Sequence, residues 1–381
     1  MQECPERFKD FRMDYALGKM VLSDVREHIY DPKAQLGWFS KTMVPPPTTG
    51  AGYICYAPYF YLLMIPLSAL SAGAALSLWV VSSMVLGLAG LTLLGRHAGR
   101  SPQQIVMMLV GAAASMPAWY TIALGQMSWF FVAFFCAFFL VLFARREFLA
   151  AVAIVLTAIK VQYAVIMVIP VLVQRRWKIL ISAAVLASVL SAAAASYVGW
   201  ANVLSYPVIV VRTISSREVD YATVARSLVS IRGPLSILLP WSVSLAATAA
   251  VSFAGMVFLA WVWLRARKAD QPSALWAAAL TVVVGLFASA HSHLYDCLLL
   301  CIPAVLTLQT LDLQKVVRLE PFSLRIWHLV LLIYPMFSLS FCLYRQMLGK
   351  FEFLPFTLIN VLLSVAGYKC FRRSLTARPA A

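Results

Sequence analysis

Long apolar runs separated by short basic clusters give this chain its pattern. Runs at 74–95, 105–123, 127–144, 179–199, 240–264, 272–290, 297–311, 326–347 and 351–370 each approach the roughly 20 apolar residues that a helix needs to cross a bilayer. The pattern predicts an all-α polytopic membrane protein with about nine full spans. Basic clusters at 96–100, 145–146, 175–178, 265–268 and 369–373 lie at the ends of these runs. Lys and Arg collect on the cytoplasmic side of membrane helices, so the clusters mark one side. The opposite ends carry isolated polar groups: Asp10, Gln126, Arg232, His291 and Asp296. A polar site on the non-cytoplasmic side is the expected arrangement.

One stretch breaks the alternation. Only 28 residues separate Arg146 from Arg175, and both flanks are basic. One helix would put the flanks on opposite sides, and two full spans do not fit. The pattern predicts a re-entrant pair of short helices, 148–159 and 161–174, with Lys160 at the apex. Irregular backbone and a charge at depth are tolerated where they line a protein-enclosed cavity. A single tilted helix with a snorkelling lysine is the alternative.

Upstream, residues 53–70 carry Pro58 and Pro66 and read as a kinked helix that dips and returns. Residues 1–52 read as an extracytoplasmic first loop with amphipathic pieces, closed by the proline-rich run 44–50. Residues 53–373 form the transmembrane domain, and 374–381 a cytoplasmic tail. The loop 200–239 reads as interfacial.

Composition agrees with the pattern. The chain is 62% hydrophobic, more than a soluble domain could cover. The net charge of +16 does not point to nucleic acid, because the basic residues form no continuous patch. The seven cysteines are scattered and fit neither a metal spacing nor a disulfide framework. No cofactor and no metal are expected.

Several polar residues could carry chemistry. Asp10 lies in the run 9–15 beside apolar and aromatic neighbours, where a carboxylate can act as a general base. Asp14 and Asp31 are equally plausible acids by chemistry. Gly125 suits a helix cap, and Gln126 beside it can hydrogen-bond a sugar or phosphate oxygen. Lys160, an isolated charge in an apolar stretch, could hold a phosphate. Arg232, at the mouth of a span, suits anion binding. The segment 291–296 holds His291, His293 and Asp296. Positions i and i+2 do not share a helix face, so a hydrogen-bonding or acid–base role is favoured over a metal.

At these residues the chain resembles the polyprenol-phosphate-sugar-dependent membrane glycosyltransferases of family 87, within the GT-C superfamily. Asp10-Phe11 with Tyr15, then Tyr30-Asp31-Pro32, is similar to the family's first loop. Tyr56-Ala57-Pro58 with Ile65-Pro66-Leu67, Gly125-Gln126, Ile159-Lys160-Val161-Gln162, Ser230-Ile231-Arg232-Gly233, and His291 with Asp296 follow in the family's order. Tyr295 stands where the family has a second histidine. Members usually begin with a membrane helix before the Asp-Phe loop, and the chain reads as lacking it.

The resemblance implies a GT-C-like helical bundle with its active site facing the periplasm of a bacterial inner membrane. It implies inverting transfer of a hexosyl group, mannose-like, from a polyprenyl-phosphate-linked sugar to a lipid or glycan acceptor. Asp10 would be the general base. Lys160, Arg232 and Arg226 would hold the donor phosphate, and Gln126 and His291 would orient the sugar or leaving group, with Asp296 holding His291. The competing expectations are a secondary transporter or lipid flippase, and a non-catalytic GT-C-like membrane subunit.

Overall fold

The computed structural model describes residues 8–43, 54–215, 228–267, 270–310, 312–332 and 354–376, and all of its regular elements there are helical. Four helices are long and apolar enough to cross a membrane: Ala72–His97, Trp177–Val198, Trp241–Ala266 and Gln271–Ala288. Pro102–Ala114 and Met116–Leu124 together make a fifth, bent by 50°.

The nine uninterrupted spans expected from hydropathy are not reproduced among the described residues. The run 105–123 breaks at Ser115, whose backbone is extended and whose hydroxyl accepts from the Ala118 N–H at 3.4 Å. Pro117 supplies the reason, since it lacks an N–H and crowds the carbonyl four residues back. The run 297–311 becomes a 3-10 turn, Leu294–Leu300, followed by the short helix Cys301–Thr307. The helix Ser128–Phe143 has 16 residues, about 24 Å of rise. The run 326–347 begins within the helix Phe322–Leu332 and extends beyond the described residues. The final run is the helix Leu354–Ser374.

The stretch around Lys160 is a hairpin. Glu147–Thr157 and Val161–Val173 are separate helices, and Lys160 caps the second with an extended backbone. The flanks return to the same end. Arg176 Nη1 donates to the Leu142 carbonyl at 2.8 Å, and its Nε lies 3.8 Å from Glu147 Oε1. This contact excludes the single tilted helix.

The other basic clusters gather at that end. Arg100 Nε donates to the Val305 carbonyl at 3.0 Å, the His97 ring stacks on Phe143 at 5.3 Å between centroids, and Gln271 Nε2 donates to the His97 carbonyl at 3.4 Å. Trp79 and Gly125 meet at the other end, where the Trp79 indole N–H donates to the Gly125 carbonyl at 3.0 Å. The bundle therefore has a basic end, and the hairpin tip points away from it.

The first loop belongs to the same core. Helix Lys9–Val21 packs on helix Phe60–Ser68, with Gly18 so close to Met64 that a Cβ would lie 2.9 Å from the Met64 carbonyl oxygen. Tyr15 Oη donates to the Leu70 carbonyl at 2.7 Å, and the Trp38 indole N–H to the Ala16 carbonyl at 2.8 Å.

Candidate active site

Helix Lys9–Val21 presents two carboxylates on one face. Asp10 lies in its first turn, where the positive end of the helix favours an anion. Asp14 follows four residues later, over the same face. The helix is pinned near its start, where the Phe8 N–H donates to the Ala123 carbonyl at 2.7 Å and Phe11 packs against Trp79 with centroids 6.0 Å apart. Gly125 ends helix Met116–Leu124 with φ 72°, and a Cβ there would collide with the Cβ of Phe11. Gly125→Ala therefore meets both left-handed strain, about 1–2 kcal/mol, and a clash. The expected result is a lower unfolding temperature in detergent and faster proteolysis of the first helix.

From Asp10 a polar chain runs into the bundle. Gln126 Nε2 donates to Asp10 Oδ2 at 2.5 Å, and Gln126 Oε1 accepts from Lys160 Nζ at 3.4 Å. Lys160 Nζ lies 3.6 Å from Asp296 Oδ1, the two side chains being 8% and 1% exposed. Asp296 Oδ2 accepts from the His293 N–H at 2.9 Å. The Lys160 ammonium also stands 4.9 Å from the Tyr295 ring and 5.4 Å from the Phe131 ring. Asp10, Gln126, Lys160 and Asp296 thus form one connected set from four separate elements.

Arg232 begins the helix Arg232–Leu238 and is buried. Its Nη1 donates to the Ala290 carbonyl at 3.2 Å, and its guanidinium lies 5.5 Å from the Trp241 ring. The segment before it is stitched to the 287–293 loop. The Val229 N–H donates to the Ser292 carbonyl at 2.8 Å and the Ile231 N–H to the Phe287 carbonyl at 2.9 Å. Arg226 lies outside the described residues.

Two sequence expectations change at 291–296. His291 and His293 do meet, with Nε2 atoms 2.9 Å apart. His293 is extended rather than helical, and on extended backbone i and i+2 share a side. Asp296 serves Lys160 and the His293 backbone, where the sequence placed it on His291. Among the described residues, no three His, Cys, Asp or Glu side chains gather as a metal site would need.

The His291 ring is accessible at the surface yet lies deep among protein atoms. That desolvation, then the His293 ring, Lys160 and, against an opposing pull from Asp296, Arg232, hold its pKa well below the ordinary histidine range. Asp14 is shifted the other way. Burial and then the charge of Asp10 raise its pKa well above the usual carboxylate range, against a smaller lowering by Lys160. Asp31 is exposed and caps helix Pro32–Thr42 by accepting from the Lys33 and Ala34 N–H groups at 2.8 and 3.3 Å.

The profile of glycosyltransferase family 87 matches residues 53–290, more than half of the chain. The chain belongs to glycosyltransferase family 87. It is therefore a membrane-associated helical glycosyltransferase by family, acting between a sugar donor and an acceptor. No curated protein and no solved structure matches it. Gln126, Lys160 and Arg232 lie inside the region matched to family 87, whereas Asp10, Asp14, His291 and Asp296 lie outside it. The hydrogen bond from Gln126 to Asp10 and the ion pair from Lys160 to Asp296 join the two sets.

The sequence did not single out Tyr56 or Tyr295 as site residues in this family 87 chain. Tyr56 feels the charges of Asp14, Asp10 and Asp296, which together with its burial raise its pKa well above the usual tyrosine range. Its neighbour Pro58, two residues on, was the available signal. Tyr295 lies under Lys160 and stacks on His293 with centroids 5.1 Å apart.

Proposed function

We propose that the chain moves a hexosyl group, mannose-like, from a polyprenyl-phosphate-linked sugar to a hydroxyl of a lipid or glycan acceptor, with inversion, at the periplasmic face of a bacterial inner membrane. The observation that carries this reading is the polar chain linking Asp10 to Lys160 through the single amide of Gln126. It couples a carboxylate that can take a proton to a buried cation that can neutralise a phosphate.

In the transfer, Asp10 takes the proton of the acceptor hydroxyl as its oxygen bonds to the anomeric carbon. The bond from that carbon to the phosphate oxygen breaks, and its electron pair leaves with the polyprenyl phosphate. The extra negative charge falls beside Lys160 and Arg232, cations already fixed in place before the reaction. Gln126 and His291 orient the sugar or the leaving phosphate by hydrogen bonds. Asp296, 3.6 Å from the Lys160 ammonium, keeps it aimed at the site. A transporter would use paired broken helices in two related halves; the Lys160 hairpin and the bent pair Pro102–Ala114 and Met116–Leu124 are broken elements, but no internal repeat in the sequence relates them.

The test is binding of a polyprenyl-phosphate hexose to the purified chain, beside a neutral glycolipid of similar tail length. Selective binding of the phosphate lipid is expected. Equal binding of both would remove the donor assignment.

A further inference from the structure

Asp14 is 2% exposed, and its Oδ1 is buried without a hydrogen-bond partner. The neighbouring acids differ. Asp10 accepts from the Gln126 amide and Asp31 from two backbone N–H groups, while Asp296, whose Oδ1 also has no hydrogen-bond partner, has the Lys160 ammonium 3.6 Å from that oxygen and the His293 N–H on the other. A buried ionised carboxylate without donors is costly, whereas the protonated acid is far less so and is itself a donor.

The charge balance points the same way. The titratable groups facing Asp14 are Asp10 one turn earlier, Lys160 at the hairpin tip and Tyr56 in the segment before helix Phe60–Ser68. Among the described residues, the carboxylates Asp10 and Asp296 stand beside the cations Lys160 and Arg232. A donor phosphodiester adds one negative charge, and an ionised Asp14 would add another beside it. Asp14 also has a defined place relative to the chemistry. Positions i and i+4 hold their Cβ atoms roughly 5–6 Å apart, about the width of a pyranose ring. A sugar whose anomeric carbon lies by Asp10 therefore brings its own hydroxyls to Asp14.

We propose that Asp14 stands in the site as a neutral carboxylic acid and donates its proton in a hydrogen bond to a hydroxyl of the transferred hexose. The hexose contact rests on the glycosyl-transfer reading above, while the protonation does not. Asp14 is then a residue that selects and orients the sugar, distinct from the phosphate grip of Lys160 and the proton acceptor Asp10.

Two measurements decide this. Infrared difference spectra of wild type against Asp14→Asn at neutral pH should show the C=O stretch of a protonated carboxyl, above the amide I band and shifted in heavy water. Absence of that band overturns the proposal. The second measurement is the ratio of affinities for polyprenyl-phosphate hexose over sugar-free polyprenyl phosphate. Asp14→Ala should lower this ratio by up to about tenfold, and Asp14→Asn, which keeps a donor, by less. A folding defect would weaken both lipids equally, and an unchanged ratio in a variant that still binds sugar-free polyprenyl phosphate as wild type does overturns the hexose contact. If wild type prefers neither phosphate lipid over a neutral glycolipid, the donor reading fails and the hexose contact with it, while the infrared band still decides the protonation. Because Asp14 Oδ1 is buried without a donor, Asp14→Ala should unfold no earlier than wild type.

Discussion

Asp10→Asn is expected to lower glycosyl transfer by about 10²–10⁴-fold, the usual contribution of a positioned general base, while donor affinity stays close to wild type. The asymmetry follows from where Asp10 sits. Its carboxylate is bound by Gln126 at one oxygen and lies in the half-buried first turn of its helix, whereas the phosphate is assigned to Lys160 on the far side of that amide. Asparagine keeps the size and can still accept from the Gln126 amide, so the geometry survives and only the proton acceptor is lost. Single-turnover transfer, measured beside donor binding, separates the two quantities. Wild-type turnover in Asp10→Asn would remove Asp10 from the mechanism.

Lys160→Met is expected to fail in two ways at once. Lys160 and Asp296 form an ion pair of which both members are buried, and removing one partner of such a pair costs about 3–5 kcal/mol because the other charge is left uncompensated. The variant should therefore unfold early in detergent and bind no phosphate lipid. The combined variant Lys160→Met with Asp296→Asn removes both charges and should regain most of the stability. It should not regain donor binding, because no cation remains at the hairpin tip. Donor binding restored by the double variant would mean that Lys160 matters only as a structural partner of Asp296.

The hairpin was legible because charge made it so. Two basic flanks only 28 residues apart admit few solutions in a bilayer, and Lys160 marked the turn. The gathering of Gln126 and Asp296 at one end was legible for the same reason, as they fall at the ends of runs opposite the basic clusters, whereas Asp10 lies in the polar first segment, before any such run. Their contacts were not, since hydrogen bonds between positions 10, 126, 160 and 296 depend on packing that no local pattern encodes. Ser115-Met116-Pro117 carried a break signal, but the surrounding hydropathy outweighed it. The i, i+4 spacing of Asp10 and Asp14 gave a shared face, yet the burial of Asp14 is decided by the segments that close over that face, including the one that carries Tyr56. At His291 and His293 a helical period was applied where the backbone is extended, and the shared side was missed.

The hairpin also acts as a depth gauge. Its first arm, Glu147–Thr157, has 11 residues, about 16 Å of rise along its axis, which is roughly half of a hydrocarbon core about 30 Å thick. A phosphate held at Lys160 would then be drawn below the head groups on its own side, and the polyprenyl tail would have to bend or enter sideways between helices. One added turn in each arm would lift the ammonium by about 5.4 Å without changing the sidedness of any helix that follows, since the hairpin leaves and returns at one end. Arm length thus sets the depth at which the ammonium meets its phosphate.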